Sequence, residues 1–103
     1  MLRLVQRWEI IYGHFAGWLE NFEACNAIAR DRGWAEMTMW APLAGKANEV
    51  VVMGEWPDYV TFKAEADASY ADAEYMKLVR AGAPHVVQGS GSFELLEPLP
   101  PPA

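Results

Sequence analysis

His14 and His85 carry the only side chains in this chain whose ordinary protonation equilibrium falls between about pH 5 and 8, which makes them the first candidates for proton transfer. His14 follows Gly13 where a helical pattern begins, and His85 follows Pro84 in the return toward the last strand-like segment. The competing reading of each is a surface or capping residue. Two isolated histidines with no carboxylates at fixed spacing do not compose a zinc site, so no metal and no cofactor is expected. A third candidate is Glu55, set in the otherwise apolar run Val50-Val51-Val52-Met53-Gly54-Glu55-Trp56. Burial would favour its neutral form unless a cation compensates it, and Arg7 on the first strand-like segment is the expected partner, in a structural ion pair. Glu9 is the alternative carboxylate for Arg7.

The aromatic residues are the remaining chemical resource. Trp8, Trp18, Trp34, Trp40 and Trp56, with Tyr12, Tyr59 and Tyr75 as polar handles, are numerous enough to line a cavity for an aromatic ligand. Trp8, Trp40 and Tyr75 are the residues expected to touch it; core packing or dimer contact is the competing reading. The single Cys25 falls on a helical apolar stripe and reads as a small core hydrophobe. No Gly-rich phosphate loop, Ser-His-Asp set or Cys-His set is evident.

The elements that must position these residues follow from hydrophobic period. Residues 2–11 alternate as a strand; 14–32 repeat as an amphipathic helix with Phe15, Trp18, Leu19, Phe22, Cys25 and Ala29 on one stripe. Gly33 then supplies a left-handed stop behind Arg30 and Arg32. Residues 35–56 read as two strands around the loop that contains Pro42 and Gly45. Residues 58–81 read as a helix capped by Asp58, with Tyr59, Phe62 and Ala66 buried, and Asp72 as a second cap where the helix bends or restarts. Residues 92–97 close the pattern as a strand. This βαββαβ order predicts a ferredoxin-like α+β domain over 1–97, with a four-stranded antiparallel sheet in the order 4-1-3-2 and helices on one face. Residues 98–103 form a Pro-rich tail.

Neither face of the first or third strand is purely polar, so the face without helices is expected to meet a second copy of the chain. With 103 residues, 52% of them hydrophobic and 13% aromatic, the chain suits one domain with apolar surface to spare. A net charge of −6 without a basic cluster argues against nucleic acid and anionic membrane surfaces. The start of the chain lacks a long apolar run and a cleavage signature, so a cytoplasmic location and no membrane partner are expected.

The segment Asn48-Glu49-Val50-Val51-Val52-Met53-Gly54-Glu55-Trp56, followed by Asp58-Tyr59 and an Ala-rich helix, resembles the dimeric α+β barrel superfamily. Further resemblance lies in Asp72-Ala73-Glu74-Tyr75-Met76, Val86-Val87-Gln88-Gly89-Ser90 and the ending Phe93-Glu94-Leu95-Leu96-Glu97. This superfamily includes antibiotic-biosynthesis-type monooxygenases and NIPSNAP-like proteins. The resemblance implies a homodimer with small-molecule pockets between sheet and helices. It also implies a choice of functions: a cofactor-independent monooxygenase or related cyclase or isomerase acting on an apolar or aromatic metabolite, or a noncatalytic ligand-binding or interaction module. Haem held by His14 or His85 is a weaker third option, with no supporting motif.

Overall fold

The computed structural model describes residues 1–100. Its elements are β1 (Leu2–Glu9), α1 (Phe15–Arg32), β2 (Thr38–Trp40), β3 (Glu49–Trp56), α2 (Tyr59–Ala71), α3 (Ala73–Gly82) and β4 (Ser92–Leu96), with a 3-10 turn at Ala83–His85 between α3 and β4. The strands form one antiparallel sheet in the order β2-β3-β1-β4, the ferredoxin-like order expected from the sequence. Of the Pro-rich tail, residues 101–103 lie outside the described residues.

The register sorts the side chains. Leu4 lies opposite Gly54, Gln6 opposite Val52 and Trp8 opposite Val50; period two then sends Leu4, Gln6, Trp8, Val52 and Trp56 toward the helices. Arg3, Val5, Arg7, Val51, Met53 and Glu55 take the other face. Among the described residues no helix covers that second face, and the described residues extend only 20 Å along the thinnest dimension, as one sheet layer and one helix layer would give. Val5 and Val51 are nevertheless buried there, screened by their longer neighbours.

Helix ends follow the expected local chemistry. Gly33 adopts φ 74° and its N–H returns to the carbonyls of Ala29 and Arg30, a stop that a β-carbon would strain. Asp58 caps α2 by accepting from the Thr61 N–H at 2.8 Å, and Asp72 caps α3 by accepting from the Tyr75 N–H at 2.9 Å. The long helix expected over 58–81 is therefore two helices, divided where Asp72 becomes extended. Arg32 joins the joint to α1, donating to Asp72 Oδ2 at 2.9 Å and to Glu74 at 3.1 Å.

Three details differ from the sequence reading. β2 spans three residues, because Met37 gives both backbone groups to the Asn26 amide (2.7 and 2.8 Å) instead of to a strand neighbour. Phe15 and Tyr59 are more than half exposed; each is the first residue of its helix, before the chain has settled over the sheet. On α1 only Ile28 and Ala29 are fully buried, and α2 buries no residue completely. The helices are thus held away from the sheet over much of their length. Among the described residues no helix is long and apolar enough to cross a membrane.

The cap on α3 gives a pH prediction. The Tyr75 N–H and, after it, the Arg32 guanidinium hold the Asp72 carboxyl below the usual carboxylate range. A depressed folded-state value stabilises the fold above the unfolded value of about 4 and is lost as pH falls through the folded value. Asp72→Asn keeps a capping oxygen but cannot titrate. In thermal melts from neutral pH into acid, the variant should start from a lower Tm and lose less of it below about pH 4 than the parent does.

Candidate functional site

Between the sheet and the helices lies a cavity of about 610 Å³, within the size range of small-molecule sites. The sheet contributes Leu4, Gln6, Trp8, Val52, Trp56 and Phe93; the helices contribute Trp18, Phe22 and Cys25 from α1, Phe62 and Glu65 from α2, and Tyr75 and Met76 from α3. The half-buried stripe of α1 is explained by what it faces. A side chain lining an open chamber is shielded from bulk water without being packed.

Aromatic edges set the cavity walls. At one end Trp8 lies 6.1 Å from Trp18 and meets Phe93 edge-on at 5.5 Å, while its indole N–H donates to Gln6 Oε1 at 3.2 Å. On the helix side Trp34 and Tyr75 meet perpendicularly at 5.6 Å. At the other end Trp56 meets Phe62 at 4.9 Å and 78°. Burial pushes the Cys25 thiol and the Tyr75 phenol up from their ordinary values. At neutral pH Cys25 is therefore a poor nucleophile, and Tyr75 presents a protonated hydroxyl.

The sequence-chosen residues divide by position. Trp8 and Tyr75 line the cavity. Trp40 does not: its register partner Val51 puts it on the helix-free face, 57% exposed, with its N–H donating to Thr38 Oγ1 at 2.8 Å. Tyr12 and Tyr59 are exposed as well. The Arg7–Glu55 pair is also corrected. Arg7 lies opposite Val51, four residues from Glu55, and its guanidinium reaches Glu49 at 3.4 Å; Glu55 pairs with its direct partner Arg3 at 2.9 Å. Glu9, the alternative partner for Arg7, is held by Lys46. Both side chains of the Arg3–Glu55 pair are about half exposed, so it is a surface pair of small energetic weight rather than a buried compensation.

His14 and His85 do meet, although 71 residues separate them in sequence. Their Nδ1 atoms are 3.2 Å apart and their rings cross at 62°; a hydrogen bond of this kind needs one ring to carry the Nδ1 proton and the other to accept it. His14 begins α1, its carbonyl taking the Trp18 N–H. The His85 carbonyl takes the Ile11 N–H. Neither ring lines the cavity, although Trp18, Gly82, Ala83 and Val86 beside them do. Among the described residues no group of three or more His, Cys, Asp and Glu side chains is placed to hold a metal ion.

Sequence reasoning passes over Glu65. Its Oε1 accepts from the Ala35 N–H at 3.0 Å, while its Oε2 is buried without a hydrogen-bond partner. The indole nitrogens of Trp18 and Trp56 are unpartnered too, and all three residues border the same cavity. The signal is present in the chain: Phe62, Glu65, Ala66 and Ser69 follow helical spacing, so a carboxylate sits inside the apolar stripe.

With the geometry in hand, comparison with solved structures is decisive for architecture. The fold is that of NIPSNAP-domain and antibiotic biosynthesis monooxygenase structures. An uncharacterised NIPSNAP domain protein from Burkholderia xenovorans superposes with a TM-score of 0.79 at 19% identity, covering 97% of this chain and 96% of that one. SnoaB, a cofactor-independent oxygenase from Streptomyces nogalater solved as a point mutant, gives 0.68 at 19% identity with 96% of each chain covered. A NIPSNAP family protein from Agrobacterium tumefaciens gives 0.75 at 13% identity, covering 96% of this chain and 86% of that one. No protein-family model and no curated protein matches the sequence.

The histidine contact depends on a glycine. A β-carbon at Gly17 would stand 2.5 Å from His85 Cε1, so α1 leaves room for the imidazole by lacking a side chain there. Gly17→Ala should displace the His85 ring, a movable side-chain end, and break the Nδ1 contact. The helix itself gains up to about 1 kcal/mol from Ala over Gly. The expected outcome is an unchanged or slightly raised Tm together with separated imidazole environments in histidine-selective NMR spectra.

Proposed function

We propose that this protein binds a neutral or weakly acidic aromatic, or otherwise apolar, metabolite between its sheet and helices, and does so as a homodimer joined through its helix-free face. The observation that carries the binding reading is the 610 Å³ aromatic-walled cavity, lined by four of the five tryptophans. Trp8 and Tyr75 are the contact residues carried forward from the sequence; Trp40 belongs to the opposite face.

Dimerisation is supported by the surface left uncovered. On that face Leu96, the register partner of Arg3, is 45% exposed, and Trp40 adds a large indole, 57% exposed, at the far edge of the sheet. An edge strand with this composition favours a partner. Light scattering at micromolar concentration should give twice the 11.5 kDa chain mass; a monomer would count against the proposal.

The enzymatic form of this reading is a cofactor-independent monooxygenase or a related cyclase or isomerase, supported by structural similarity to an oxygenase described as cofactor-independent. His14 and His85 are its proton-transfer candidates. A noncatalytic binding module is the second reading, favoured by the placement of both imidazoles outside the cavity wall. Tryptophan fluorescence and calorimetry against a panel of aromatic compounds test binding, and oxygen uptake with the compounds that bind tests oxygenation. Trp8→Ala should weaken binding about tenfold or more, since it removes a whole aromatic wall. Trp40→Ala should leave cavity binding unaltered.

A further inference from the structure

Outside the cavity, His14 and His85 bring two transition-metal donors into contact, with their Nδ1 atoms 3.2 Å apart. A hydrogen bond explains that spacing with one proton and one lone pair. A shared ion explains it equally well, because nitrogens each about 2.05 Å from a tetrahedral zinc stand about 3.3 Å from one another. The same geometry puts the centroids of two such imidazoles about 5.2 Å apart. The observed separation is 5.4 Å, with the rings inclined at 62°. Both distances therefore match a bidentate site to within a few tenths of an ångström.

Both imidazoles are held from behind. The His14 N–H donates to the Ile11 carbonyl at 2.9 Å and the Ile11 N–H donates to the His85 carbonyl at 2.9 Å, so the two histidines are tied to the two backbone groups of one residue. Ile10 and Val86 form a bridge next to that tie. Gly17 adds the third restraint by leaving the His85 ring its place over α1. Donors already at the bite distance lose little freedom on taking an ion, and the second bond forms intramolecularly. Access is open as well: both histidines are only half-buried, and Tyr12, Gly13 and Pro84 beside them in the chain are exposed. The net charge of −6 favours a cation.

We propose that His14 Nδ1 and His85 Nδ1 chelate one zinc ion, with water completing its tetrahedral sphere. Imidazole nitrogens suit zinc and its neighbours in the transition series, whereas magnesium and calcium take oxygen donors. The protons balance without release. In the hydrogen-bonded pair one ring carries its hydrogen on Nδ1; when that nitrogen binds the ion the hydrogen sits on Nε2, and both imidazoles stay neutral. Two protein ligands make an open site, because the remaining positions hold exchangeable water. This site stands apart from the cavity and does not depend on what the cavity binds.

The test is calorimetric titration of the full chain with zinc chloride at neutral pH, against magnesium chloride as the oxygen-preferring control. The parent should take one zinc per chain and show no comparable response to magnesium. His14→Ala and His85→Ala should each weaken zinc binding roughly tenfold or more, since either variant leaves a single imidazole and loses the intramolecular second bond. Nitrogen-detected histidine NMR of the parent provides a readout that needs no variant. Both rings should respond together to one equivalent of zinc, with the shifts of a ligated Nδ1 and a protonated Nε2. Absence of zinc binding by the parent overturns the proposal, as does parental affinity in either variant, a response confined to one ring, or ligation through Nε2. Any of these results would leave the contact as a hydrogen bond joining the start of α1 to the segment after α3.

Discussion

The antiparallel pairing of β1 with β3, from Leu2 opposite Trp56 to Glu9 opposite Glu49, is the constraint on which the rest of the molecule depends. Side chains alternate with period two, so a slip of one residue would turn the slipped strand over. With β3 in place, a shifted β1 would take Trp8 out of the cavity and bring Arg3, Arg7 and Glu9 in. Desolvating three charges in place of an indole is unfavourable enough to exclude that register. Cross-strand ion pairs then decorate the outer face as a consequence of the register, not as its cause, since exposed pairs of this kind contribute little.

A sheet with helices on one side has two ways to treat its inner face: pack it or leave a chamber. Here the inner face leaves a chamber walled by aromatic side chains. Gly54 illustrates the limit of that arrangement, because a β-carbon at this position would lie 2.3 Å from Met37 Sδ and 2.8 Å from the Trp56 ring. The chain thus gives up side-chain volume on β3 to let Met37 and Trp56 close one end, while the helices remain apart from the sheet between the ends. Dispersion contacts are forfeited along such a chamber. The capped joint at Asp72 matters for the same reason: by dividing the second helical segment it lets α3 bring Tyr75 and Met76 to the cavity at an angle that one continuous helix would not supply.

Element order, strand order and both caps are legible in the sequence because each is a local pattern: alternation, helical spacing, or an aspartate ahead of an apolar stripe. The differences all lie in relations between segments. Alternation points Arg7 toward Glu55 where the fold uses Arg3, because hydrophobic period defines faces but not offsets along a strand. Trp40 is expected at the ligand on its aromatic character alone, because a three-residue β2 carries too little pattern to show which face it presents. His14 and His85 are both visible, but their contact depends on the space left at Gly17, a property of two segments packed together. Glu65 escapes for the opposite reason: its helical spacing is local and plain, and a search for apolar residues skips the one charged member of the stripe.

The placement of ionisable groups separates two regions that the sequence does not distinguish. The paired imidazoles stand by the loops that leave β1 and α3, outside the chamber, with their Nδ1 atoms 3.2 Å apart. The carboxylate inside belongs to α2, at the end closed by Trp56. A bound molecule therefore meets indole and phenol rings before it meets any histidine. Glu65 Oε1 is engaged by the Ala35 N–H and its Oε2 is covered, so this carboxyl ties the wall together instead of offering a ligand a hydrogen bond, and orientation inside the chamber is left to the shape of its aromatic edges.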